Sequence, residues 1–222
     1  MKKHVMLTAI AAAGLAGVAS ADTVNVVFGG ISGNYGKSVD IQLSNGLKFG
    51  DGSSYKSGIW AGQLTHIIDG VSEKTYCTEL TQWAHSGIFD IVDVEDAPKP
   101  GSGMGAEKAA AIYALFNSTN RAQDINTNKE AAAFQAVIWE IVYDYEGSNS
   151  DFNISAGSVK ISGIDSALFN LFKGYAQSGS TAASVVAISN PNYQDQLRIV
   201  PLPSAAGMAG LGLLALSAKR RR

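Results

Sequence analysis

The chain has 222 residues, with 17 lysines and arginines against 19 acids, three histidines and a single cysteine. It lacks the basic excess of a nucleic-acid binder, and one cysteine excludes an internal disulfide framework or a cysteine-rich zinc site. The length suffices for one domain with a substantial core, and neither an internal repeat nor a long linker divides it.

In chain order, Lys2 and Lys3 precede an apolar run from Val5 to Val18, and Ala19-Ser20-Ala21 offers small residues at the cleavage positions. That order predicts a secretory signal peptide over residues 1–21. The apolar run falls short of the roughly 20 residues that a spanning helix takes. Export would leave Asp22 as the first residue of a domain covering 22–199. Its first half reads as strands. Val24, Val26 and Phe28 alternate with polar or small neighbours, as do Val39, Ile41 and Leu43. The stretches Gly58–Ile68, Thr75–Leu80 and Gly87–Val94 look similar, with Gly, Asn, Asp and Ser turns between them. The prolines and glycines of residues 96–103 predict a loop.

After that loop the period becomes helical. Ala106–Phe116 is alanine-rich, with Ile112, Leu115 and Phe116 at helical spacing. Asn128 is placed to cap a second helix, with Glu130 in its first turn. Along that helix Phe134, Val137, Ile138, Ile141, Val142 and Tyr145 form one apolar stripe. A third helix is predicted from Asp165 to Lys173, ending at Gly174. Strand character returns at Ala183–Ser189 and Gln196–Val200. Strands, then helices, then strands predict an α+β fold, a sheet or barrel-like unit carrying an inserted helical lobe.

The chain closes on Val200-Pro201-Leu202-Pro203-Ser204, an apolar glycine-dotted run from Ala205 to Ala218, and Lys219-Arg220-Arg221-Arg222. An apolar segment closed by a basic cluster predicts a charged end held in the cytoplasm. The arrangement resembles the bacterial PEP-CTERM sorting signal. That signal joins a proline motif (here Pro201 and Pro203), a membrane helix and a terminal arginine cluster (Arg220, Arg221 and Arg222). Leu202 stands where that family carries Glu. The resemblance implies that residues 200–222 are a sorting and membrane segment, handled by an exosortase-like enzyme and cut near Pro203; a permanent tail anchor is the other reading. Loss of both ends removes six of the 17 bases and none of the 19 acids, for a net charge of about −8. That charge disfavours nucleic acid and anionic membranes as partners and restricts membrane contact to the C-terminal segment.

Cys77 is the residue that most needs explaining, because exported proteins normally pair their cysteines. It could be a buried inert thiol, half of an intermolecular disulfide, a catalytic nucleophile, or part of some other covalent bond. Gln135 is the second oddity. Ile138, Trp139 and Val142 follow it at i+3, i+4 and i+7, so a carboxamide shares a line with large apolar residues. A buried polar group without a partner costs about 1–3 kcal/mol. On pattern alone Gln135 reads as a glutamine at the edge of the stripe, bonded to a backbone group.

Tyr76-Cys77-Thr78 and Phe134-Gln135-Ala136-Val137-Ile138-Trp139 resemble the two signatures of the thioester domains of bacterial surface adhesins, the TQXA type. In that family an aromatic residue precedes the cysteine, and the later Gln opens a hydrophobic helix with an Ile-Trp pair. Phe134 stands at the name-giving Thr and Val137 at the Ala; Asp195-Gln196-Leu197 looks like the end of such domains. The resemblance covers most of residues 57–200. It implies a thioester between Cys77 and Gln135, formed with loss of ammonia, which a nucleophile such as an amine on a surface or matrix target would open once per molecule. It also implies apolar shielding from water, for which Tyr76, Phe134, Ile138 and Trp139 are placed. No cofactor and no metal enter this reading, and the protein would be a single-turnover covalent binding module rather than an enzyme. A structural envelope or matrix protein without a reactive bond is the alternative. A secreted cysteine hydrolase using His66 or His85 is another, although no local signature surrounds those residues.

Other features read as ordinary. Asp90, Asp93, Glu95 and Asp96 lack calcium-loop spacing and are expected to be solvated. Glu140 and Asp144 read as solvent-facing helix acids. Gly101-Ser102-Gly103-Met104-Gly105 has no following Lys-Ser/Thr and is not a phosphate loop.

Overall fold

The computed structural model describes residues 22–117, 125–178 and 184–200. The signal peptide (1–21) and the sorting residues Pro201, Pro203, Arg220, Arg221 and Arg222 lie outside the described residues. Among the described residues no helix is long and apolar enough to cross a membrane.

The fold is α+β. Six antiparallel strands close into a barrel in the order β1 (Thr23–Gly30), β4 (Leu64–Ile68), β5 (Val71–Cys77), β9 (Tyr193–Ile199), β8 (Val185–Asn190), β6 (Gly87–Val92), with β6 returning to β1. A second sheet has the order β3 (Tyr55–Gly62), β2 (Gly36–Leu43), β7 (Val159–Ser162). Helices α1 (Gly105–Asn117), α2 (Asn128–Tyr143) and α3 (Ser166–Ala176) enter the sequence between β6 and β8, together with β7, so the helical lobe is an insertion into the barrel.

Alternation along the strands divides the interior in two. Val24, Val26, Ile68, Phe89 and Ile188 pack as a small core inside the barrel. Their strand neighbours point outward, and where the outward face belongs to β5, β8 and β9 it is covered: Tyr76, Val185, Ala187 and Leu197 join the large core shared with the helices and the second sheet. Thus Tyr76 faces the helical lobe and Cys77, the next residue, faces the barrel side.

Helix α2 is the centre of the large core. It touches α1, α3, β2, β3, β5 and β7, and every residue from Ala131 to Val142 is buried. The sequence suggested one apolar stripe; a helix enclosed on all sides is the stronger result, and it forces its polar residues to find partners inside the protein. Glu140 does so with one of its two oxygens. It was read as solvent-facing, but it is fully buried; its Oε2 accepts the Asn153 N–H at 2.8 Å, while Oε1 is buried without a partner among the described residues. Asp144 accepts from Ser158 N (2.6 Å) and Val159 N (3.0 Å), and so fastens the start of β7. The cap of α2 is Thr127, whose side chain accepts from Glu130 N, whereas Asn128 turns its Oδ1 to the Gly36 N–H at 3.3 Å. The third helix begins where expected, with Asp165 as its cap, but it does not end at Gly174 and runs through it to Ala176.

The stretch read as one strand from Gly58 to Ile68 is two strands in two sheets, with the corner at Gly62 and Gln63. Gly62 has φ +145° and pairs with Gly36, and a Cβ on it would lie 2.5 Å from Gly36 Cα and from Tyr35 O. Only glycine fits there.

Two outcomes follow from this packing. Gly62→Ala is expected to lower the unfolding free energy by about 2 kcal/mol or more, because backbone rather than a flexible side chain blocks the new carbon; an unchanged urea midpoint would contradict this. Burial, with a smaller contribution from the Asp144 charge, raises the Glu140 carboxyl to about 8, against the pull of the Asn153 N–H. The folded state therefore holds a proton that the unfolded chain releases near pH 4.5, so this contribution to stability is complete below that value and is lost as pH rises to about 8. Glu140→Gln is expected to gain stability relative to the parent progressively across that window; parallel stability curves for parent and variant would contradict it.

Candidate functional site

Cys77 is the last residue of β5, and it has a partner on one side only. Opposite Gln196 it forms a non-hydrogen-bonded pair, as the Thr78 N to Asp195 O bond (3.1 Å) requires. Its own N–H and C=O therefore point away from β9, toward the side where β4 runs. But β4 begins at Leu64, opposite Thr75, and the corner at Gly62 carries the preceding chain into the other sheet. The peptide edge of Cys77 is thus left beyond the end of its neighbouring strand.

Gln135 fills that position. Its Oε1 accepts the Cys77 N–H at 3.1 Å, and its Nε2 donates to Cys77 O at 2.8 Å. The carboxamide copies the reciprocal bonds of a strand residue, and the two partners fix which way round it sits. Gln135 is fully buried, Cys77 is 5% exposed, and Cys77 is a free thiol. The amide carbon is held beside Cys77 between two bonds to that residue's own peptide groups.

Tyr76, Phe134, Ile138 and Trp139, the residues expected to shield the pair, are all buried. Tyr76 and Phe134 lie on the lobe side, with ring centroids 4.8 Å apart; Phe116 (5.1 Å) and Phe172 (5.5 Å) pack edge-on to Phe134. Trp139 follows Gln135 by one helical turn on the same face. It lines, with Cys77, a cavity of about 290 Å³.

Behind Cys77 lies a polar network that sequence reasoning missed. Glu79 and Asp195 are buried. Glu79 Oε1 accepts from Asp195 N at 2.8 Å, and its Oε2 accepts from the Thr78 hydroxyl. Asp195 accepts from Ser189 Oγ (2.6 Å), Asn190 N (2.8 Å) and Lys99 N (2.8 Å). Gln194 Nε2 donates to Glu79 O at 2.7 Å, and Tyr143 Oη accepts from Leu80 N at 2.7 Å. Burial, then the Asp195 charge, pushes Glu79 well above the usual carboxylate range. Burial also raises Asp195, to about 6, against its three donors. Of the two, Glu79 is the one that burial and its neighbour's charge bias more strongly toward the protonated form. Glu79 was detectable only as an acid two residues beyond Cys77, in a strand context where carboxylates are uncommon.

Burial, and secondarily Glu79, pushes the Cys77 thiol far above its ordinary value, with the Gln196 side chain pulling the other way. In the unreacted chain it is a neutral thiol. Neither histidine is bonded to it. His66 is buried inside the barrel, with Nδ1 2.7 Å from Thr75 Oγ1, and desolvation lowers it to about 4. His85 is an exposed residue stacked on Tyr193 at 4.5 Å, with Nδ1 2.9 Å from Ser86 O. Asp90, Asp93, Glu95 and Asp96 are exposed. Among the described residues no group of His, Cys, Asp and Glu is assembled to hold a metal ion. Searches of protein-family models, curated proteins and solved structures find no match to this chain.

Proposed function

We propose that Cys77 and Gln135 join as an internal thioester. In this reading the protein is an exported bacterial cell-surface or matrix protein that uses the bond to capture nucleophiles covalently, as in adhesion. The observation that carries it is the reciprocal bonding of the Gln135 carboxamide to the peptide edge of Cys77 in a buried setting. The Cys77 sulfur would attack Gln135 Cδ, an S–C bond would form, and the C–N bond would break. The thiol proton leaves with the amide nitrogen as ammonia, so the closed product requires no standing thiolate. The Cys77 N–H already donates to Oε1, the atom on which negative charge develops, and supplies an oxyanion donor from the backbone. Fixing both groups on rigid elements provides the proximity that closure needs. The thioester is an activated acyl group, and opening by a primary amine leaves an amide at Gln135 and frees Cys77. Buried aromatic walls limit the competing attack by water.

The second reading is a structural surface protein without a reactive bond. It is favoured by the bonding of both carboxamide heteroatoms to Cys77, which makes Gln135 a sufficient clasp between α2 and β5 as it stands. A cysteine hydrolase is disfavoured by the separate hydrogen-bond partners of His66 and His85.

Intact-mass measurement separates the first two. The purified domain is expected to weigh roughly 17 Da less than its sequence mass through loss of ammonia, and to take up methylamine at Gln135, as an activated acyl centre does. Cys77→Ala is expected to abolish both effects. A full-mass protein with an intact Gln135 amide and no methylamine uptake would contradict the thioester.

A further inference from the structure

The chain has three tryptophans, and all three, Trp60, Trp83 and Trp139, line a cavity that reaches Cys77. The rest of its wall is apolar apart from Cys77 itself and Gln194, and no charged residue contributes to it. Each tryptophan is held in place differently. Trp139 is 1% exposed in the centre of α2. Trp60 is fixed by its indole N–H, which donates to Gln63 O at 3.0 Å. Trp83 is 46% exposed and stands at the mouth, stacked on the buried Phe49 with centroids 6.2 Å apart and planes 7° apart. The Lys56 ammonium lies 5.5 Å from the Trp83 ring and is paired to Asp51 at 2.5 Å.

These features select among nucleophiles. An ammonium ion entering the uncharged cavity would lose its hydration without a carboxylate to replace it, so the cavity favours the neutral, nucleophilic amine. At the mouth Lys56 already occupies the neighbourhood of the Trp83 ring, so a second cation would not find that position free. Flat indole surfaces reward a flat apolar partner through offset or edge contacts. A volume of about 290 Å³ leaves room for a ring beyond what a short alkyl chain would fill. Cys77 is part of the cavity wall and Gln135 is bonded to Cys77, so the cavity abuts the Cys77–Gln135 pair.

We propose that this cavity is the acceptor subsite of the Cys77–Gln135 thioester, that it takes a primary amine borne on an aromatic stem, and that Trp60 and Trp83 are its specificity-determining residues. The inference rests on the thioester reading above. In the step it serves, the amine nitrogen bonds to the Gln135 carbonyl carbon, the carbon–sulfur bond breaks, and one amine proton passes to the Cys77 sulfur.

The test uses the purified domain and compares single-turnover rate constants for phenethylamine and methylamine, each corrected to the neutral-amine fraction. Phenethylamine is expected to react at least about tenfold faster, the scale of discrimination an apolar pocket supplies. Trp83→Ala, at a partly exposed position, and Trp60→Phe, which keeps the ring but loses the indole N–H, are each expected to shrink that ratio severalfold. Equal rates for the two amines, or an undiminished ratio in both variants, would overturn the inference while leaving the thioester standing. Absence of the ammonia mass loss and of any methylamine uptake would instead remove the thioester, and this inference with it.

Discussion

The arrangement around Cys77 depends on one interaction, the pair of hydrogen bonds by which the Gln135 carboxamide completes the unpaired peptide edge of β5. A buried backbone N–H and C=O must be satisfied, and at Cys77 the strand that would satisfy them is missing because β4 starts two residues too late. That deficit originates at Gly62, where the chain leaves one sheet for the other. The helix that supplies the missing partner is the most enclosed element of the fold. Local backbone accounting and the global position of α2 therefore meet at one residue, and that residue places its carboxamide on both peptide groups of the sole cysteine.

The site has a rigid wall on each side. On the lobe side Tyr76, Phe116, Phe134 and Phe172 interlock through tilted and edge-on contacts, which hold β5, α1, α2 and α3 in register. On the barrel side Thr78, Glu79, Asp195 and Ser189 form a buried hydrogen-bonded network, tying the end of β5 to β8 and β9. Such a network is destabilising if any member is left unsatisfied, and firm when complete. It fixes the position of Cys77, and burial there holds the thiol in its neutral form. Closure by expulsion of ammonia suits that environment, since the thiol proton departs with the leaving group.

Much of the architecture was legible in the sequence. The alternation of β1 and β2, the three helical periods and the order of strands, helices and strands gave the barrel with its inserted lobe. What failed did so for identifiable reasons. β7 has only four residues, too few for a period to show. The run Trp60-Ala61-Gly62-Gln63-Leu64 crosses a sheet-to-sheet corner with no Asn, Asp, Ser or Pro in it, so no turn cluster announced the break. Thr127 and Asn128 are both good capping residues, and only geometry decides between them. Glu140 was assigned to solvent because its partner, the Asn153 N–H, is a backbone group that no side-chain pattern reveals. The same holds for Glu79 and Asp195, which lie 116 residues apart and meet through a backbone N–H. Cys77 and Gln135 could be singled out by residue type. How they meet, through the end of one strand and the absence of another, could not.

The most direct measurement of the central claim is a crystal structure of the purified domain, at a resolution that distinguishes bonded from non-bonded atoms at residues 77 and 135. The thioester account expects continuous density from Cys77 Sγ to Gln135 Cδ, with the amide nitrogen gone and Oε1 still on the Cys77 N–H. A complete carboxamide on Gln135, with both of its bonds to the Cys77 peptide retained and the sulfur in separate density, would contradict it and leave Gln135 as a structural clasp.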